Sequence, residues 1–105
     1  HAKGASARLS GMEVPSFADT ETTLAELQER IAKTIAFLAT VPPAAFEGAE
    51  NRTITVKAGA RELSFPAVQY YHGYAVPNFY FHMSTAYNIL RANGVEVGKT
   101  DFLGA

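Results

Sequence analysis

Residues 23–43 read TLAELQERIAKTIAFLATVPP, and this stretch decides the fold class. Leu24, Leu27, Ile31, Ile35 and Leu38 recur at spacings of three and four, one apolar stripe along a helix. Thr23 and Glu26 form a capping-box pattern at its start: the hydroxyl can accept the N3 amide while the carboxylate returns to the N-cap amide. Glu26–Arg30 and Glu29–Lys33 are i, i+4 pairs on the opposite side, and Val41-Pro42-Pro43 ends the element. The expected fold is therefore mainly all-α.

Upstream, His1, Ala5 and Leu9 fall on one face of a helix-forming segment that Gly11 stops, and residues 12–21 form a loop punctuated by Pro15 and Asp19. The chain opens inside this helix with no cap before it, so an upstream segment is expected to be missing. Downstream the period changes. Ile54 and Val56 alternate with Thr53, Thr55 and Lys57; beyond Ala58-Gly59-Ala60, Leu63 and Phe65 alternate with Glu62 and Ser64. This predicts a small β-hairpin leaning on the helices, because a lone hairpin is marginal in water. A last long helical segment begins near Pro66, meets Pro77 as a kink or a fresh first turn, and closes at Asn93-Gly94. The tail from Val95 reads as extended, packed through Phe102 and Leu103.

At 105 residues the chain is a single domain with one core. Nine basic and ten acidic residues are evenly spread, so no electrostatic footprint for nucleic acid exists. No apolar run approaches the ~20 residues that span a bilayer, and cysteine is absent. A soluble cytoplasmic location is expected, without nucleic acid or membrane partners.

Chemistry concentrates in residues 77–91, PNFYFHMSTAYNILR. Asn78 and His82 stand four apart, one turn above each other, on a face shared with Phe79, Ala86, Ile89 and Leu90. Two readings stay open: a core histidine bonded to a carbonyl or to Asn78, or half of a metal site. His1 lies on the inward face of its own helix, where a neighbouring helix can bring it opposite His82. Phe79, Tyr74 and Ala86 are the expected lining of a ligand pocket. His72, amid Tyr70, Tyr71 and Tyr74, is read as a rim residue and a fallback ligand. No catalytic residue is assignable, because no nucleophile–base–acid arrangement can be read.

The run from Leu24 through VPPAAFEGAENRTITV, and above all PNFYFHMSTAYNILRANGVEVGKTDFLG, resembles an uncharacterised bacterial family within the DinB/YfiT-like superfamily of metalloenzymes. The resemblance implies an up-down-down-up four-helix bundle with the hairpin between its last two helices. It also implies that residues 1–105 form one such domain, N-terminally incomplete and without its first helix. It places His1 at the histidine position of the second helix and His82 at the second histidine of an H-x-x-x-H pair, with Asn78 where the first would stand. His1, His82 and Asn78 are then the ligands of a divalent metal (Zn, Ni or Mn) that activates a small thiol or water as nucleophile. The alternative is a metal-free bundle with a degenerate site, binding a small molecule or serving as a structural dimer. A bundle short of one helix leaves an apolar stripe open, so oligomerisation, as a homodimer, or pairing with the missing segment is expected.

Overall fold

The computed structural model describes residues 1–105. It is mainly helical with one two-stranded sheet. Helix α1 spans Ala2–Ser10 and α2 spans Leu24–Thr40. Two 3₁₀ turns, Pro43–Phe46 and Ala49–Asn51, lead into strands β1 (Thr53–Ala58) and β2 (Arg61–Pro66). Then come α3 (Ala67–Tyr70), a π turn (Tyr71–Ala75), α4 (Val76–Ala92) and a short α5 (Lys99–Leu103).

Local chemistry accounts for most boundaries. Gly11 ends α1 with φ 74, donating its N–H to Arg8 O at 3.2 Å. The capping box of α2 forms: Glu26 N donates to Thr23 Oγ1 at 3.2 Å and Thr23 N to Glu26 Oε2 at 2.9 Å. Glu26 is thereby committed to the cap, and the expected Glu26–Arg30 pair does not form. Arg30 turns instead to the preceding loop, meeting Asp19 and Glu21 at 2.8 Å each. Glu29 and Lys33 form no ion pair either, since exposed charges gain little from holding two long side chains still.

The hairpin pairs Ile54 with Phe65 and Val56 with Leu63 in antiparallel register, turning at Gly59 with φ 62. Its inner face supplies the core. Ile54, Val56, Ala67, Tyr70 and Ala75 form one buried cluster, with Ala5, Leu9, Phe65 and Tyr74 packed around it. Arg52 ties this cluster to its surroundings. Its guanidinium donates to Leu9 O at the end of α1 and to Ala45 O at 3.0 Å, while its own carbonyl accepts from Ala67 N at 2.9 Å. A cation among the last carbonyls of a helix also meets the negative end of its dipole.

Pro77 does stand in the first turn of a new α-helical element, α4, but that element runs on directly from the turn before it. Ala75 and Val76 stay in the right-handed helical region, and the backbone widens into the π turn one turn before the proline. Proline has no N–H and its ring crowds the carbonyl four residues back; widening relieves both conflicts without breaking the rod. The extended tail expected from Val95 is corrected at its end. Asp101 Oδ2 accepts the Gly98 N–H at 2.6 Å and closes the turn of α5. Phe102 packs edge-on against Tyr87 at 5.3 Å, whereas Leu103 is exposed.

Away from the hairpin the helices stay open. Neither α2 nor α4 contains a buried residue. The half-buried residues of α2 are Arg30, Thr34, Phe37 and Leu38, about a quarter turn around the axis from the centre of the apolar stripe. Ile31 and Ile35 are 59% and 61% exposed.

Candidate functional site

The N-terminal end of α1 abuts α4. His1 and His82 stack with ring centroids 4.3 Å apart and planes 20° from parallel. Asn78 Nδ2 lies 3.2 Å from His1 Nδ1. An amide nitrogen only donates, so this contact is a hydrogen bond in the His1 tautomer whose Nδ1 is free to accept. Phe81 closes the other side of His82 edge-on at 5.2 Å. All three sequence-derived candidates thus meet, but in a different pairing from the one their spacing suggests: Asn78 bonds to His1, and His82 lies flat on that ring.

The location is also corrected. His82 is exposed, not set in a buried stripe, and Phe79, Ile89 and Leu90 on the same helix are exposed with it. The face is unburied because no other helix covers α4 there.

As donors for a divalent ion these side chains do not fit as placed. A ring lone pair lies in the ring plane, and two planes stacked with a 20° tilt meet far beyond the about 2.0–2.1 Å reach of a Zn–N bond. The Nδ1 lone pair of His1 is engaged by Asn78. A carboxamide is a poor third ligand, and no group of three or more His, Cys, Asp or Glu side chains gathers anywhere in the chain. His72 does not supply the deficit; it lies exposed, edge-on to Tyr71 at 4.8 Å.

Two cavities flank His1. One of about 210 Å³ is nearly all apolar, lined by Ala2, Ala5, Tyr71, Ala75, Val76, Phe79 and Tyr80 with His1 at its edge. The other, about 180 Å³, opens toward the hairpin and is lined by Arg8, Lys57, Tyr70, Tyr74 and Asn78 among others. Phe79 and Tyr74, expected in one pocket, therefore line different ones. Ala86 lines neither: it sits one turn beyond His82, on the exposed side of α4. Arg8 and Lys57 were not anticipated. The signal for Arg8 was a glycine, Gly4, one turn before it in an otherwise helix-favouring run.

The molecule's charged pairs lie elsewhere. A polar cleft of about 400 Å³ between the 12–21 loop and α2 includes Glu21, Glu26 and Arg30. Hydrogen bonding from Arg30 holds the Glu21 carboxyl below its ordinary range, and the Thr22 amide does so first for Glu26. The same bond to Glu21 raises Arg30. Burial lowers Lys3, whose ammonium donates to Pro15 O and lies 3.8 Å from the Phe17 ring centre. These groups satisfy one another and pin the loop.

A family described as a domain of unknown function (DUF1993) matches residues 1–103. No curated protein matches the chain. The crystal structure of a DinB family member protein from Shewanella denitrificans is similar, at 44% identity and a TM-score of 0.83; the match covers 98% of this chain and 58% of that one. The chain thus spans 58% of the length of that relative.

Proposed function

The chain belongs to the DUF1993 family of domains of unknown function, and from the geometry at His1 we propose that it is a DinB-like small-molecule-binding domain. The observation that carries this is the apolar cavity with His1 at its edge, the ring that Asn78 and His82 hold from α4. Concave apolar walls with a few convergent polar groups are the usual form of a ligand site. In this reading the cavity between α1 and α4 takes the nonpolar body of the ligand. The His1 imidazole at the cavity edge orients the polar end.

The test is an amide chemical-shift titration with benzyl alcohol. Shifts centred on Ala5, Ala75 and Phe79 support the proposal, and shifts scattered over the open faces of α2 and α4 overturn it. A metal-dependent enzyme using a thiol or water nucleophile is the second reading, favoured by the contact of two imidazoles across α1 and α4. It requires one ring to turn and a further ligand. A melting-temperature rise with Zn²⁺, Ni²⁺ or Mn²⁺ that His82→Ala abolishes supports it over the first, because a ligand bound only to the native state stabilises that state.

We also propose that a second copy covers the apolar stripe of α2, building a helical bundle from two chains. The accessible surface is 7703 Å², against about 5,700 Å² for a compact monomer of this mass. The radius of gyration is 15.6 Å, against about 13 Å for this length. An excess of roughly 2,000 Å² is the area of an obligate dimer interface, and equally of the surface that a further segment of the same protein would cover. The stripe is also its own complement. Laid antiparallel on a twin about Ile31, Leu24 meets Leu38 and Leu27 meets Ile35, with Ala25, Ala32 and Ala39 leaving room along one flank. A monodisperse monomer in sedimentation velocity overturns this; a dimer that Ile31→Lys dissociates supports it.

A further inference from the structure

The second cavity beside His1 has a feature that the apolar one lacks. Arg8 reaches from α1 half-buried into it, and its single hydrogen bond runs from Nη1 to Tyr70 Oη at 3.5 Å. A guanidinium presents five donors in a rigid fork. Neither ion pair of the molecule includes Arg8, and no carboxylate lines the cavity. Lys57, on β1, enters the same lining and forms no ion pair, although Glu62 stands opposite it across the hairpin. Arg30, by contrast, has both Asp19 and Glu21.

The backbone makes room for this arrangement. A Cβ on Gly4 would stand 2.7 Å from Arg8 Nη1. Gly4 lies within α1 and has no positive φ, so no backbone requirement calls for glycine there. Glycine weakens a helix interior relative to alanine. What its missing side chain supplies is space for the guanidinium, folded back along the helix toward Tyr70. Tyr70 is itself 2% exposed and fixed in the core, so one end of the fork is anchored and the rest faces the cavity.

We propose that this cavity binds a small organic carboxylate, its oxygens received by the Arg8 fork and the Lys57 ammonium. Ala5, Val56 and Ala75 supply an apolar wall for its short chain, and Asn78 stands at the rim shared with His1. A volume of about 180 Å³ equals the liquid space of roughly six water molecules, which suits an acid of about that many non-hydrogen atoms. Carboxylate matches the planar fork in bidentate fashion, and the apolar wall favours an alkyl chain over a bare oxyanion. The proposal deepens the reading of this end as a ligand site and requires no metal.

Isothermal titration calorimetry of the whole chain with sodium butyrate, and separately with sodium phosphate at the same ionic strength, tests it. Butyrate is expected to bind saturably and more tightly than phosphate. Arg8→Gln should weaken it about tenfold, in line with the loss of one charge-assisted pair, and the exposed Lys57→Gln should weaken it less. Gly4→Ala separates site from scaffold: it keeps both charges and favours the helix, so the melting temperature should not fall while butyrate affinity does. No saturable butyrate binding, unchanged affinity in Arg8→Gln, or tighter binding of phosphate overturns the proposal. Benzyl alcohol shifts that persist when butyrate gives no heat sink this proposal alone; the reverse result sinks the apolar-cavity reading alone.

Discussion

The two ends of this molecule differ in how they use apolar side chains. Where the hairpin meets α1 and α3, Ile54, Val56 and Tyr70 are buried within one cluster. Along α2 and α4, residues as large as Ile31, Ile35, Phe81 and Ile89 face outward. Both regions carry an apolar face at the period of their elements, about two residues in the strands and about 3.6 in the helices, so amphipathic spacing alone does not make a core. Burial requires a second surface at the right distance, and the hairpin provides one only for the neighbouring helices. The contrast also orders the polar chemistry: the candidate cavities lie where α1 bridges the packed region and the open α4.

Five changes probe that contrast, in descending size of effect on monomer stability. Tyr70→Ala empties the packed end and should cost about 3–5 kcal/mol in urea unfolding, the usual range for deleting a buried aromatic ring. A loss under 1 kcal/mol would show that the cluster is not what holds the fold. Arg52→Ala removes charged hydrogen bonds to two carbonyls that join α1, the first 3₁₀ turn and the hairpin, so about 2 kcal/mol is expected. Thr23→Ala acts on the open side; losing the N-cap should lower stability by about 1 kcal/mol.

Acid should act on the same helix start. The Glu26 and Glu21 carboxyls are both held below the ordinary 4.5, so their contribution is fully present above that pH. It is lost as pH falls through their depressed values. A melting curve that loosens α2 on acidification, in a manner that Glu26→Gln removes, checks the sign. Ile31→Lys is the smallest change for a monomer, within about 0.5 kcal/mol as for other exposed positions. Its effect should appear in sedimentation, as loss of dimer.

The legible parts of the fold were those decided within a few residues. Thr23 and Glu26 announce the cap, Gly11 the stop, and the alternation around Gly59 the hairpin, because each answers a local demand of the backbone. The α2 stripe showed that the helix needs a partner surface; it carried no information on whether this chain supplies one. The π turn escaped because Pro77 acts on a carbonyl four residues earlier, a conflict that the chain can resolve by kinking, restarting or widening. At the candidate site, helical spacing brought Asn78 and His82 into view, and the inward face of α1 added His1. Their pairing depended on how far α1 stands from α4, which i, i+4 spacing cannot encode. Arg8 was missed because its meaning lies in the absence of a side chain at Gly4 and of an acid across the cavity.

The widened turn at Tyr71–Ala75 sets the angular phase of everything beyond it. Five residues of widened helix sweep about the same angle as four of ordinary α-helix, so removing one residue there, such as Gly73, would let an uninterrupted α-helix form with α4 still in phase. Asn78 and His82 would then still face His1, drawn slightly toward the hairpin core, which would keep its registration. This five-residue window therefore acts as a slack link: a homologue one residue shorter here should present the same α4 side chains to α1, whereas a deletion just beyond it, within α4, would rotate the following side chains by about 100°.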